Sequence, residues 1–355
     1  MGSPQFKDYH LYSEDLTASN DKRKAYRDAI LAYADSLYDV SAKNRTAFMP
    51  PQALAADPER FRGAYIAMLG APLTNYAFSL PEGTEEYLAE DDLGSIFRVT
   101  LHVDGVIPFY GLLFFPKGMK DGEKRPLVIC QHGGGGTPEL CSDMHGENNY
   151  NHMTRRMQET GVVCFAPQLY LWNSEKYGIP SDRGPLDLAL RRYGGSLFAL
   201  EIYCIRKAID YFSDKPYIDP EKIAMHGLSY GGMYTLYTMA ADTRIKAGYD
   251  CGSFNDRTKP TNLADLNFHN GGNTFMEAEI AALCAPRPLY IDVGKTDPVF
   301  GWETAEKEFA RLKPYYEAYG KAENVVLNVW EGGHTVCDRD DGQRFVLDAL
   351  GWKKP

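Results

Sequence analysis

The chain has 355 residues, 44% of them hydrophobic and 24% charged, which is the composition of an ordinary globular protein with one large core or two smaller ones. A formal net charge of −10 argues against a nucleic-acid or anionic-membrane partner, because both attract basic proteins. No apolar run is long enough to span a membrane and the start is not a signal peptide, so the chain as it stands is predicted to be cytoplasmic, with export open if a signal peptide was removed.

The first 95 residues are predicted to form a helical N-terminal extension, because residues 1 to about 90 show no strand alternation. Its first helix carries apolar side chains at spacings of four, three and four residues, which form one helical face. These side chains are Tyr26, Ile30, Tyr33 and Leu37. A second helix is expected from about Pro58 to Leu69. We expect the apolar face to pack against the main domain, so that the extension forms a cap.

From residue 96 onward the sequence pattern changes to strands. Two strands flank the turn Asp104-Gly105 and predict a β-hairpin. Strands and helices then alternate, which indicates a mostly parallel sheet covered on both faces. The later predicted strands are 126–131, 162–167, 222–226, 247–250, 288–293 and 325–330. Residues 96–355 are therefore predicted to form an α/β catalytic domain with an eight-stranded, mostly parallel sheet flanked by helices.

The segment 168–196 is long for a connection between a strand and the next helix. Long loops at the carboxyl edge of such a sheet usually cover the active site. The segment contains Trp172 and Arg183, whose side chain types suit stacking on a sugar or pairing with a carboxylate. Ordinary packing and surface charge are the alternative for both residues.

The sequence Gly227-Leu228-Ser229-Tyr230-Gly231 follows an apolar strand and precedes a helical pattern. A serine at a sharp strand-to-helix turn is exposed to a base and has a strained backbone, so its neighbours two positions away must be small. Ser229 is therefore the predicted nucleophile of a serine hydrolase.

Only two of the eight histidines, His269 and His334, follow this serine in the chain. His334 comes directly after the last predicted strand and is the predicted general base. His269 lies in a loop rich in Gly and Asn that is a candidate to line the pocket. Asp297, in the loop after the strand 288–293, is the predicted acid that orients the imidazole. Asp250 and Asp292 are alternatives for this role.

Two backbone amides are expected to form an oxyanion hole. One belongs to Tyr230, directly after the nucleophile. The other should come from the glycine run that follows His132, where Gly134 is the preferred donor and Gly133 and Gly135 are alternatives. His132 is expected to shape this loop, and its position also makes it a candidate contact for the substrate.

These motifs, HGGGG and GLSYGG together with Asp297 and His334, resemble the α/β-hydrolase superfamily, and within it the branch of dienelactone hydrolases and acetyl xylan esterases. The resemblance covers residues from about 96 to 352. It implies hydrolysis of carboxylic esters through an acyl-enzyme, often on acetylated sugars. Trp302, close after Asp297, is a further candidate at the pocket border, with a role in the core as the alternative.

No metal or organic cofactor is predicted, because neither an HExxH pair nor a dinucleotide fingerprint occurs. The expected partner is a small-molecule or carbohydrate ester, and the oligomeric state stays open. The GxSYGG form also resembles prolyl oligopeptidases, so a serine peptidase is the second hypothesis. A hydrolase-fold binding protein without activity is the third. The seven cysteines are odd in number and contain no CxxC pair, so no disulfide framework is predicted.

Overall fold

The structure, a computed structural model, describes residues 10–146, 148–258 and 264–354. Within these residues nine strands form one sheet in the order β1-β2-β3-β5-β4-β6-β7-β8-β9. The first three strands and the β3–β5 pair are antiparallel, and all pairs from β5 to β9 are parallel. The strands are β1 Glu82–Asp91, β2 Gly94–Val103, β3 Ile107–Pro116, β4 Arg125–Gln131, β5 Val163–Pro167, β6 Ile218–Leu228, β7 Ile245–Cys251, β8 Leu289–Gly294 and β9 Val325–Trp330.

Helices cover both faces of the sheet, as expected for parallel strands that are apolar throughout. All residues of β4, β5 and β8 are buried. The helices of the described residues are α1 Asn20–Phe48, α2 Pro51–Ala56, α3 Pro58–Leu69, α4 Pro138–Cys141, α5 Met153–Glu159, α6 Ser174–Tyr177, α7 Arg183–Arg191, α8 Leu197–Ser213, α9 Tyr230–Ala241, α10 Gly271–Thr274, α11 Glu277–Ala282, α12 Trp302–Ala318 and α13 Asp341–Ala349. Short 3-10 helices lie at Leu73–Asn75, Ala264–Leu266 and Ala322–Asn324.

The predicted hairpin, the six parallel strands and the helix from Pro58 to Leu69 are confirmed, but the count of eight strands is wrong by one. The additional strand is β1, which pairs with β2 at the edge of the sheet. Most of its side chains are exposed and many are acidic, so its sequence lacks the apolar alternation that marks a half-buried strand. Backbone pairing with β2, rather than side-chain burial, makes it a strand.

The expectation that the apolar face of α1 packs as core is also wrong. Tyr26, Ile30, Tyr33 and Leu37 are between 51% and 73% exposed. The contact with the body of the protein is made instead near the end of the helix, where Arg45 is 1% exposed and Phe48 packs edge-on against Phe61 and Phe275. The spacing of the apolar residues therefore predicts the helix correctly, but it does not predict which face of the helix is buried.

The predicted division into an extension of residues 1–95 and a catalytic domain of residues 96–355 stays a prediction, although the sheet begins earlier, at Glu82. Residues 1–9, 147, 259–263 and 355 lie outside the described residues. The seven cysteines are free and buried. None of the helices within the described ranges combines the length and the apolar character that crossing a membrane requires.

We expect Arg45→Ala to lower the free energy of unfolding by about 3–5 kcal/mol, because it removes one partner of a buried ion pair that holds α1 on the body. Arg45 lies 2.9 Å from a carboxylate oxygen of Glu279 and donates to the carbonyl of Gly272 at 2.8 Å. Denaturant titration measures the change, with the exposed Arg27→Ala on the same helix as control. Equal effects of the two substitutions would contradict this anchoring role.

Candidate active site

Ser229 lies at a sharp turn between β6 and α9, with φ 60° and ψ −123°. A non-glycine residue in this region of backbone space is strained, and the surrounding contacts must hold it there. The Ser229 amide donates to the carbonyl of Cys251 on the neighbouring strand at 2.8 Å. A Cβ atom at Gly227 would lie 2.3 Å from the carbonyl oxygen of Gly231, and one at Gly231 would lie 2.0 Å from that of Gln131. The predicted strained turn with small neighbours is confirmed.

Asp297 and His334 form a hydrogen-bonded pair beside this turn. His334 Nδ1 lies 2.8 Å from Asp297 Oδ2, and the Asp297 side chain is fully buried. The other carboxylate oxygen accepts the amides of Val299 and Phe300 at 2.7 and 3.0 Å. With both oxygens bound, the carboxylate is fixed in orientation, so that Nδ1 of the imidazole carries its proton and Nε2 is left as a base.

Gly252 connects the pair with the serine turn. It directly follows Cys251 and has φ 60°. A Cβ atom there would lie 3.5 Å from His334 Nδ1 and 3.7 Å from Asp297 Oδ2. The Ser229 hydroxyl makes no hydrogen bond within the described residues, and contacts of this kind often tighten only when substrate binds. The structure thus brings Asp297 and His334 together and places the serine turn next to them.

Neither alternative acid contacts His334. Asp250 accepts a hydrogen bond from Ser253, and burial raises its pKa to about 7. Asp292 accepts from Tyr249 and from Asn328, and burial raises its pKa to about 6. Both side chains are buried within the sheet, so the geometry favours Asp297.

The four glycines after His132 differ in how their amides are used. Gly133 donates to Tyr150 Oη at 2.9 Å, Gly135 donates to the carbonyl of Leu171 at 2.6 Å, and Gly136 donates to that of Gly133 at 3.1 Å. The Gly134 amide has no hydrogen-bond partner in the part of the chain that the structure describes. Gly134 is also exposed. It is therefore the glycine amide of this loop that is left to bind a ligand.

This loop lies directly against the serine turn. A Cβ atom at Gly133 would lie 3.1 Å from Ser229 Cβ, and one at Gly134 would lie 3.3 Å from the ring of Tyr230. The Tyr230 amide, at the start of α9, likewise has no acceptor within the described residues. Two unpaired amides therefore flank the serine, as an oxyanion hole requires.

Tyr150 is a residue of the site that sequence reasoning missed. Its ring is buried, and its hydroxyl holds the Gly133 amide in place. A Cβ atom at Gly136 would lie 2.1 Å from the same oxygen, so this glycine makes room for Tyr150. No local motif marks Tyr150, because the contact spans seventeen residues.

His132 is fully buried, and both of its nitrogens are used. Nδ1 lies 2.9 Å from the Gly133 carbonyl, and Nε2 accepts the Leu169 amide at 3.0 Å. Burial lowers its pKa to about 4, so the ring is neutral. This favours the loop-shaping role over direct contact with a substrate.

Arg183 uses its five N–H groups within the protein. They donate to the carboxylates of Glu201 and Asp265, the carbonyl of Tyr170 and the hydroxyl of Tyr234. Its guanidinium also lies 5.5 Å from the ring centre of Tyr230. Arg183 therefore fastens the segment 168–196 beside the serine turn and has no donor left for a substrate carboxylate.

The other three residues predicted to bind substrate lie in different parts of the structure. Trp172 is partly buried, donates to the Ile179 carbonyl at 2.9 Å and pairs with Gly135 in an isolated β-bridge. Trp302 is partly buried at the start of α12 and packs on the main core. His269 is exposed, and no contact joins it to the serine turn within the described ranges. Their roles in binding stay predictions.

Comparisons with known proteins agree with this architecture. A protein of Bacteroides fragilis NCTC 9343 described as "a putative acetyl xylan esterase (BF1801)" superposes with a TM-score of 0.64 at 15% identity, over 84% of this chain and 83% of that one. A glucuronoyl esterase from Solibacter usitatus gives a TM-score of 0.60 at 14% identity, over 85% and 94% of the two chains. The chain has the α/β-hydrolase fold. The fold class predicted from the sequence is confirmed, and membership of the superfamily stays a prediction.

Sequence comparison finds one family model and one curated relative that are similar to parts of the chain. The prolyl oligopeptidase family matches residues 204–261, the segment that contains Ser229. The Bacillus subtilis (strain 168) protein named "Putative hydrolase YtaP" is 30% identical over 166 residues. That match spans 44% of this chain and 56% of the relative, little more than half of its length.

We expect Asp250→Asn to change how the stability of the protein depends on pH. The native state keeps the Asp250 proton up to about pH 7, whereas an unfolded aspartate loses it near pH 4. Between these values the native state binds more protons, so rising pH destabilises the wild type through this group. Asparagine removes that contribution.

The free energy of unfolding of Asp250→Asn, relative to wild type, should therefore rise from pH 4 to pH 7 and stay constant above. Denaturant titrations at unit pH steps measure this, with Asp39→Asn as control for loss of an exposed carboxylate. Parallel pH profiles for wild type and Asp250→Asn would show that Asp250 is ionised in the native protein.

Proposed function

We propose that this protein is a serine hydrolase that cleaves carboxylic esters through an acyl-enzyme, with Ser229 as nucleophile, His334 as base and Asp297 as orienting acid. The main support is the hydrogen bond between His334 and the buried Asp297 carboxylate, next to a strained serine turn that has an unpaired amide on each side. These are the parts that acyl transfer needs, namely a nucleophile, an oriented base and donors for an oxyanion.

In the first half of the reaction His334 Nε2 accepts the hydroxyl proton of Ser229 while Oγ attacks the ester carbonyl carbon. The carbonyl oxygen becomes an oxyanion, which accepts hydrogen bonds from the amides of Tyr230 and Gly134. The carbon–oxygen bond to the alcohol then breaks, and the alkoxide leaves with the proton from the imidazolium. The acyl group stays on Ser229.

In the second half a water molecule gives its proton to His334 Nε2 and attacks the acyl carbon. The tetrahedral intermediate collapses, the proton returns to Ser229 Oγ and the carboxylic acid is released. Asp297 accepts the hydrogen bond from Nδ1 throughout, which keeps the imidazole in one tautomer and stabilises its cation.

Proteins of the same fold support the ester class. Two of them are described as "a putative acetyl xylan esterase" and a glucuronoyl esterase. We infer a carboxylic ester as substrate and assign the chain to the dienelactone hydrolase and acetyl xylan esterase branch. A carbohydrate-linked ester is one substrate of this class.

A peptidase activity is the second candidate, since the segment around Ser229 matches the prolyl oligopeptidase family. The same triad and oxyanion hole would act on an amide. Turnover of p-nitrophenyl acetate faster than that of aminoacyl p-nitroanilides supports the esterase, and the reverse order supports the peptidase.

We expect Ser229→Ala to lower kcat for p-nitrophenyl acetate by about four to six orders of magnitude, because the acyl-enzyme can no longer form. The exposed Ser36→Ala serves as matched control and should keep the wild-type rate. Near-normal turnover by Ser229→Ala, with the protein folded by circular dichroism, would remove Ser229 from the mechanism.

Tyr150→Phe should lower kcat about tenfold with a smaller change in KM. The Gly133 amide would lose its acceptor, and the loop that presents the Gly134 amide to the transition state would lose its support. Steady-state kinetics on p-nitrophenyl acetate measure kcat and KM separately. A rise in KM with unchanged kcat would contradict support of the oxyanion hole.

A further inference from the structure

A cavity of about 610 Å³ lies at the carboxyl edge of the sheet, between β3, the segment 168–196 and α8. Its buried lining residues are mostly apolar but include Thr137 and Glu201, and partly exposed residues of the segment complete the lining. The lining includes Tyr110, Glu139, Gln168, Trp172 and Leu186. Its volume is in the range of pockets that hold small organic ligands.

The cavity lies close to the serine turn. Trp172, which lines it, pairs with Gly135, and Gly133 touches Ser229. Consecutive Cα atoms are 3.8 Å apart, so Gly133 and Gly135 are at most about 8 Å apart. A Cβ atom at Gly135 would meet no atom within 4 Å, so the path over this glycine is open.

The strand order decides which part of an ester points toward the cavity. Asp297 follows β8 and His334 follows β9, on one side of the serine turn. The cavity lies near β3 and β5, on the other side. Because the leaving alcohol must take its proton from His334, the alcohol lies on the histidine side. The acyl group then extends toward the cavity.

The chemistry of the lining excludes an anionic group. Among the described residues, no Lys, Arg or His side chain lines the cavity, and most lining residues are apolar or aromatic. Glu139 accepts a hydrogen bond from the Tyr110 hydroxyl through one oxygen, while its second oxygen has no partner in the described ranges. The amide oxygen of Gln168 also has no hydrogen-bond partner in the described ranges. The amide nitrogen of Gln168 donates to the Leu169 carbonyl and lies 3.2 Å from His132 Nε2. The cavity therefore suits an apolar body that carries a hydroxyl donor.

We propose that this cavity binds the acyl group of the substrate, and that this group is an uncharged aryl or alicyclic chain ending in a hydroxyl that donates to Glu139 or Gln168. The inference rests on the proposed esterase function and narrows it. Preferred substrates are then esters of hydroxyaryl-alkanoic acids, in preference to simple acetates.

The test compares methyl 3-(4-hydroxyphenyl)propanoate with methyl acetate, and adds 2-(4-hydroxyphenyl)ethyl acetate, which carries the same ring on the alcohol. We expect kcat/KM for the arylpropanoate to exceed that for both acetates at least tenfold. A preference for the acetate that carries the ring on its alcohol, or no preference, would overturn the proposal.

Two substitutions on α7 form a matched pair. Leu186 lines the cavity and is 36% exposed, whereas Leu188 is 61% exposed and lies outside the lining. Leu186→Trp should lower the ratio of kcat/KM for the arylpropanoate over methyl acetate at least tenfold, while Leu188→Trp should leave this ratio unchanged. Equal behaviour of the two variants would contradict binding in the cavity.

A binding measurement separates this proposal from the esterase proposal. The Ser229→Ala variant should bind 3-(4-hydroxyphenyl)propanamide by calorimetry, and Ser229→Ala combined with Leu186→Trp should bind it at least tenfold more weakly. That result supports the cavity even if no ester is hydrolysed. If hydrolysis of methyl acetate depends on Ser229 but 3-(4-hydroxyphenyl)propanamide does not bind, the cavity proposal is rejected and the esterase proposal stands.

Recognition of the hydroxyl is tested with Glu139→Gln. Two substrates are compared, methyl 3-(4-hydroxyphenyl)propanoate and methyl 3-phenylpropanoate, which lacks the hydroxyl. Loss of the carboxylate should reduce the ratio of their kcat/KM values about tenfold, as expected for a hydrogen bond to a charged acceptor. An unchanged ratio in this variant and in Gln168→Leu would remove the hydroxyl from the proposal.

Discussion

The close approach of two glycine-containing segments, at the ends of β4 and β6, is the constraint on which the site depends. These strands are parallel neighbours, so the loops that follow them leave the sheet side by side. Gly133 lies against Ser229, and Gly231 lies against the Gln131 carbonyl at distances that leave no room for a side chain. The strained serine and the unpaired Gly134 amide are held near one another because nothing larger than glycine separates them.

Buried polar contacts then fix the groups around this approach. Both oxygens of Asp297 are bound, so the imidazole of His334 has one orientation. Arg183 has all its donors satisfied and fastens the segment 168–196 against Tyr230. Burying such charges is costly unless they are paired, so these networks are specific arrangements and are not free to bind solutes. The apolar cavity beside them is the space that remains.

Much of the fold was predictable because parallel, buried strands are apolar runs with marked ends. The serine turn and the loops after β4, β8 and β9 were also found, since each carries its chemistry within a few residues of a strand end. Strand β1 was missed because an exposed edge strand has no apolar alternation. The buried face of α1 was predicted wrongly because Arg45, and not the apolar stripe, makes the main contact.

Features that depend on distant contacts were beyond the sequence. Nothing local shows that Tyr150 accepts the Gly133 amide, or that this bond and those of Gly135 and Gly136 leave Gly134 as the unpaired amide. Likewise, an arginine in a long loop suggests a substrate contact, and only its complete set of acceptors shows that Arg183 is structural. Sequence locates functional elements, while tertiary hydrogen bonding decides which atoms remain available.

Covalent labelling shows most clearly whether His334 activates Ser229. A fluorophosphonate reacts with a serine whose hydroxyl is activated by a neighbouring base, and mass spectrometry of the digested protein locates the label. We expect stoichiometric modification of Ser229 in the wild type and loss of labelling in His334→Ala. Labelling of a different residue, or equal labelling of Ser229 without the imidazole, would contradict this mechanism.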